Sequence, residues 1–161
     1  MKSFSFFKAI FIFLLLVALH YTVRPLLGAR VSIDFLVIAV LLTAVHVRPG
    51  LAALIGFATG LVADSLTPLS FGAGALAMSA VGSAASWLKA AVFGDNVLLQ
   101  AIFLAAGKWA FDIIYLVAER RLALGDMLIQ MFLWSPLSAI ATGLAGVLIV
   151  LTFRISMEPR R

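Results

Sequence analysis

The sequence predicts an all-α integral membrane protein, folded as one bundle of six transmembrane helices. Three observations carry that prediction. Of the 161 residues, 64% are hydrophobic and 12% charged, with a mean hydropathy of +1.17; a soluble domain is nearer roughly half apolar and a quarter charged. The apolar residues gather into six stretches separated by short breaks. The basic residues stand between those stretches as membrane-flanking anchors do, so the net charge of +5 does not imply a nucleic-acid partner. The whole chain, 1–161, reads as a single transmembrane domain with no room for a separate soluble one. The absence of cysteine excludes disulfides, thiolate metal sites and thiol catalysis.

The first stretch runs from about Phe4 to Val23, behind Lys2 and around Lys8. It resembles a signal peptide, but His20, Tyr21 and Arg24 follow where a small-x-small cleavage site would stand, so a retained first helix is expected. The second covers 33–47 and the third 51–66. Only Arg48-Pro49-Gly50 separates them, a proline–glycine punctuation that ends one helix and starts the next. Both are shorter than the roughly 20 residues of a full span; two spans in a tight hairpin are the expectation, two partial spans the alternative. The fourth covers 72–88, the fifth 97–118 and the sixth 129–153.

Placement of lysine and arginine sets the orientation. With a cytoplasmic N-terminus, that side carries Lys2, Lys8, Arg48, Lys89, Arg154, Arg160 and Arg161. The far side carries the smaller set Arg24, Arg30, Arg120 and Arg121, beside Glu119 and Asp126. Both termini are therefore expected in the cytoplasm.

At a spacing of four, Ala52, Gly56, Gly60 and Asp64 share one face of the third helix. Three near-absent side chains invite close approach of another helix, and an acid ends the stripe. The fourth stretch is dense in small residues from Gly72 and Gly74 through Gly82 to Ser86, which suits backbone-to-backbone packing. In the sixth, Ser135-Pro136 forecasts a kink, and Ser138, Thr142 and Gly146 follow on one face.

Lys108 and Asp112 are the opposed charges well inside an apolar stretch, four residues apart and able to pair along one helix. An unpaired charge at that depth costs several kcal/mol. The pair reads as a structural salt bridge facing the bundle interior; the functional alternative is a polar floor to a pocket, or a relay with Asp64. Asp34 opens the second helix as an N-cap, with contact to a partner as the alternative. His20 and His46 lie near helix ends, as interfacial histidines do, and Trp87, Trp109 and Trp134 read as belt or core residues. The sequence holds no His-Glu-x-x-His, phosphate-loop or Gly-x-Ser-x-Gly motif, and no hydroxyl with a base at helical spacing inside the apolar stretches. No catalytic residue, metal site or cofactor is expected.

The run Gly56-Phe57-x-x-Gly60-x-x-x-Asp64, the loop from Ser65 to Phe71, and Gly72-x-x-x-Leu76-Ala77-Met78-Ser79 together resemble MreD, a family of bacterial rod-shape-determining membrane proteins. Asp34, Asp112-Ile113-Ile114, and Trp134 with Pro136 fit the same pattern, and the likeness extends over essentially the whole chain. It departs at Pro68, where family members often carry serine or glycine. The resemblance implies a fold similar to the S components of energy-coupling-factor transporters. It implies a multi-pass protein of the bacterial plasma (inner) membrane without catalytic activity. Its function would be that of a scaffold for peptidoglycan synthesis during cell elongation, which maintains cell shape. The partners implied are MreC, then MreB, RodA and a class B penicillin-binding protein, with membrane lipid around them and room for a homodimer. Gly56, Phe57, Gly60, Asp64, Gly72 and Gly74 would serve partner binding or helix packing. On this reading Gly60→Leu should abolish capture of the partner and spare membrane insertion. The alternative is a small-molecule binder, an S component or a lipid-precursor binder, with an open polar cavity lined by Asp64, Lys108 or Asp112. A channel or proton-coupled transporter is disfavoured by the scarcity of intramembrane acids and the lack of an obvious internal repeat.

Overall fold

The computed structural model describes residues 2–23, 33–66, 70–92, 96–119 and 124–153, all-helical apart from short turns. Six helices follow one another among them: α1 Lys2–Val23, α2 Phe35–Ala44, α3 Pro49–Ser65, α4 Ala73–Val92, α5 Val97–Glu119 and α6 Leu124–Phe153. The arginines at Arg24, Arg30, Arg120, Arg121, Arg154, Arg160 and Arg161, on which the orientation rests, lie outside the described residues, as does Pro68.

The centre of the bundle is α2, in contact with all five other helices. Nine of its ten residues are buried, Thr43 being the exception. Its sequence, Phe-Leu-Val-Ile-Ala-Val-Leu-Leu-Thr-Ala, is apolar on every side, and such a helix has no face to give to a polar solvent. Of the stretch 33–47, the helix itself takes Phe35–Ala44. Ten residues rise only about 15 Å, half the thickness of a hydrocarbon core. Two local causes shorten the helix. Asp34 is its N-cap, and at the other end the chain turns over Val45 and His46 before Arg48, in extended conformation, hands over to Pro49 at the start of α3. The Ser86 hydroxyl of α4 reaches across and donates to the Val47 carbonyl at 2.7 Å, so this turn is satisfied from a neighbouring helix.

The small-residue stripe of α3 faces α4. A Cβ on Gly60 would stand 2.6 Å from Ala75 N and Gly74 O, one on Gly56 2.7 Å from the Met78 carbonyl carbon, and one on Gly82 2.8 Å from Ala52 O. The two backbones therefore approach as closely as glycine allows. Gly60 is covered by its own neighbour, so Gly60→Leu strikes the α3–α4 pair and does not isolate a partner contact. Phe57, from the same motif, points the other way and is 46% exposed.

The outermost helices are inverted relative to those of a soluble protein. On α6, Leu137, Ile140, Leu144, Leu148 and Leu151 form an exposed aliphatic face, and Ser135, Ser138, Thr142, Gly143 and Gly146 lie on the buried one. Gly143 packs on Ala101 and Ala105 of α5, and Gly146 on Leu104. A soluble helix buries its large residues and exposes its polar ones. Val97–Glu119 and Leu124–Phe153 are long and apolar enough to cross a membrane.

α6 contains one π-helical turn, Gln130–Trp134, just before Pro136. The Ser135 N–H donates to the carbonyl of Gln130, five residues back. Continued by one residue, this register would require an N–H from Pro136 for the Met131 carbonyl, and proline has none. The Trp109 indole of α5 donates to that carbonyl at 3.2 Å. Trp109 thus compensates a backbone defect on the adjacent helix.

Two outcomes follow. Gly60→Leu should lower the melting temperature of the purified protein steeply, with overpacking of about 1–3 kcal/mol or more. Gly50→Leu, where a side chain meets open space, should leave it unchanged; equal effects would show that α3–α4 contact is not limiting. Trp109→Phe should cost about 1–3 kcal/mol by leaving Met131 O unpaired. In a Pro136→Ala background, where the N–H returns, a double-mutant cycle should show that cost reduced.

Candidate functional site

The polar side chains of the apolar helices converge at the start of α2. Lys108 lies near the middle of α5, on the face shared by Leu104, Phe111 and Asp112. Its ammonium donates to Asp112 Oδ1 at 2.6 Å, the one-turn pair that the spacing predicts, and also to Asp34 Oδ2 at 3.2 Å. The Lys108 side chain is 4% exposed, that of Asp34 4% and that of Asp112 15%. The ammonium also lies 4.9 Å from the centroid of the Phe111 ring, in cation–π range.

Asp34 serves two tasks. Its Oδ1 accepts the Val37 N–H at 3.3 Å, the N-cap arrangement that a helix start rewards, and its Oδ2 takes Lys108. Its own backbone N–H donates to Thr142 Oγ1 of α6 at 3.2 Å. From α1, His20 brings Nδ1 to 3.3 Å from Asp34 Oδ1. Ser135 of α6 is buried, one residue after the π-helical turn. Four helices, α1, α2, α5 and α6, therefore meet through one buried polar cluster.

Sequence reasoning paired Lys108 with Asp112 and capped α2 with Asp34, but left the two apart. It missed His20 and Thr142. Helical spacing signals the Lys108–Asp112 pair and the helix start signals Asp34, but no local pattern ties the two together.

Asp64 belongs to a second site. Its carboxylate accepts N–H groups from Gly72 at 2.9 Å, Gly74 at 3.2 Å and Ala75 at 3.0 Å. Free N–H groups and the positive end of the helix dipole both favour an anion there. Gly72 has φ +96°, a turn that L side chains rarely adopt, and a side chain on Gly74 would collide with the carboxylate. Gly56, Gly60, Gly72, Gly74 and Asp64 are thus one construction joining α3 to α4. The envisaged relay between Asp64 and Lys108 has no direct contact, since each is engaged by other groups. A longer connection does exist: Phe111 stacks on Tyr115 at 5.8 Å, and the Tyr115 hydroxyl donates to Ser70 Oγ at 2.9 Å in the α3–α4 connection.

Chemically, both sites neutralise charge and tie helices together. Among the described residues, no three His, Cys, Asp or Glu side chains group as metal ligands would. No protein-family model, curated protein or solved structure matches this chain.

Removing one partner of a buried ion pair strands the other. Lys108→Met should therefore cost about 3–5 kcal/mol, read from denaturant or thermal unfolding. Adding Asp34→Asn and Asp112→Asn to Lys108→Met should restore most of the loss. A Lys108→Met protein as stable as the parent would mean that the cluster does not hold the bundle together.

Proposed function

We propose that this chain is a non-enzymatic membrane scaffold of the MreD kind, which binds MreC and supports peptidoglycan synthesis during elongation. It would cross the plasma membrane six times with both termini in the cytoplasm. One observation supports a scaffold over a ligand-binding protein. The polar groups that a ligand pocket would need are engaged by the protein itself: Asp64 by three backbone N–H groups, Lys108 by two carboxylates, both almost fully buried. An S component needs such groups facing an open cavity. Among the described residues, many large aliphatic and aromatic side chains are turned outward, and they suit lipid and other helices.

Within the motif that resembles MreD, Phe57 of α3 reaches the surface, as do Leu66, Phe71 and Leu76, and Phe57 is the proposed point of contact with the MreC transmembrane helix. Co-expressed MreC should be captured with the tagged protein from detergent-solubilised membranes. Phe57→Ala should reduce that capture several-fold without changing the melting temperature. Full capture by Phe57→Ala would remove this face from the contact, and no capture by the parent chain would remove the scaffold reading. Reporter fusions at both termini test the topology, with cytoplasmic signals expected at each.

A further inference from the structure

Measured against a bilayer, α6 is too long. Its 30 residues, Leu124–Phe153, rise about 45 Å, while a hydrocarbon core is about 30 Å thick. The part after the π turn, Ser135–Phe153, has 19 residues and rises about 29 Å, so it fills that thickness alone. A tilt of the whole helix that hid the excess would reach about 50°, beyond the roughly 0–40° of membrane helices. The six residues Leu124–Ile129 and the five of the π turn are left over. None of them is buried, whereas Ser135–Phe153 buries a full face. Leu124, Leu128 and Phe132, four apart on one side, are exposed at 79%, 52% and 65%. Asp126 and Gln130, the acid and the amide of this segment, lie half a turn away by helical spacing.

We propose that Leu124–Trp134 is an interfacial arm, lying along the membrane surface with Leu124, Leu128 and Phe132 in the acyl chains and Asp126 and Gln130 toward headgroups and water. The occupant of its uncovered face is lipid. A straight continuation of the span would carry an apolar helix about 15 Å into water. An arm sunk in the hydrocarbon would take the exposed Asp126 with it, at heavy cost. A second copy as the cover would leave the excess length unexplained. The joint is built for a change of direction, because a π turn and a proline are two common causes of a sharp bend, and the Gln130–Trp134 turn stands just before Pro136. The Trp109 indole, which donates to the Met131 carbonyl, holds this joint from α5. Trp109 and Trp134 thus bring two indoles to the bend, and indoles gather at the headgroup level. The inference rests on the membrane part of the proposed function and is independent of MreC.

The chain has no cysteine, so a single introduced one carries a nitroxide without background. The test places it on the full chain in vesicles of phosphatidylcholine and phosphatidylglycerol, at Leu124→Cys, Leu128→Cys and Phe132→Cys on the arm. Ile140→Cys, Leu144→Cys and Leu148→Cys on the span serve as references. All six positions are exposed, so the label displaces no packed side chain. Depth is read from collisions with oxygen, which concentrates in lipid, and with a water-soluble nickel chelate. The references should all lie in lipid, with position 144, midway along Ser135–Phe153, the deepest. References that meet the nickel chelate instead overturn the membrane reading itself. With the references in lipid, the arm is judged alone. A straight continuation separates positions 124 and 132 by about 12 Å in depth. The interfacial arm requires less than half of that, with oxygen collisions dominant at all three positions. A separation of half or more, or dominant nickel collisions at the arm positions, overturns the proposal. So does spin–spin broadening between copies at those positions, the sign of a second copy on this face.

Discussion

One ammonium group sets the plan of this bundle. Lys108 stands in the middle of a 23-residue apolar helix, where the cost of an unpaired charge is several kcal/mol. Asp112, one turn along, supplies the first counter-charge at no topological cost. The second comes from Asp34, and to deliver it the chain has to begin a helix deep inside the bundle. The brevity of α2 follows. A helix that ran through residue 34 would lose its N-cap, and would turn a carboxylate that now reaches Lys108 into a mid-helix side chain. The chain therefore keeps a half-length helix at its centre, wrapped by five others that supply the burial its apolar surface requires.

The same constraint recurs wherever the backbone departs from regular helix. Four free N–H groups begin every helix, and four free carbonyls end it. At α4 the N–H groups are taken by Asp64, at the α2–α3 turn a carbonyl is taken by Ser86, and beside Pro136 a carbonyl is taken by Trp109. In the last two the donor comes from a different helix, and Asp64 reaches across from α3 to α4. Satisfaction of backbone polar groups thus doubles as a means of locking helices in register. The Phe111–Tyr115–Ser70 connection extends this from the Lys108 cluster to the loop closed by Asp64, so two sites distant in sequence share one rigid edge of α5.

Much of this was legible in the sequence, and the division is physical. Helix positions were readable because apolar stretches and Pro-Gly breaks are local signals; predicted and observed limits agree closely for the third and fifth helices. The Lys108–Asp112 pair was readable because one helical turn is also local. Contacts over long separations were not. Asp34 and Lys108 are 74 residues apart, and Asp34 and Thr142 108 apart, and no periodicity within a segment encodes either. The ten-residue length of α2 within the stretch 33–47 was not readable for the same reason: contacts from other helices meet at its start, and its composition would serve a longer helix equally well. Trp109 read as a belt or core residue, and the carbonyl it meets on α6 could not be seen without the fold.

The glycines and the acids divide the work differently than their prominence in the sequence implies. Gly56, Gly60 and Gly74 form the most conspicuous pattern, yet all three are covered by α4 or Asp64 and have no surface left to offer. Their role is to bring two backbones together tightly enough for one carboxylate to cap the next helix. On the scaffold proposal, recognition of another protein would fall to exposed large side chains on the opposite side of α3, such as Leu54, Phe57 and Val62, which any apolar solvent would also accept. Such a face discriminates by shape, since it has little polar chemistry to read. Among the described residues, the charged groups that pair across helices lie in the interior, and the scaffold proposal rests on the apolar contour around them.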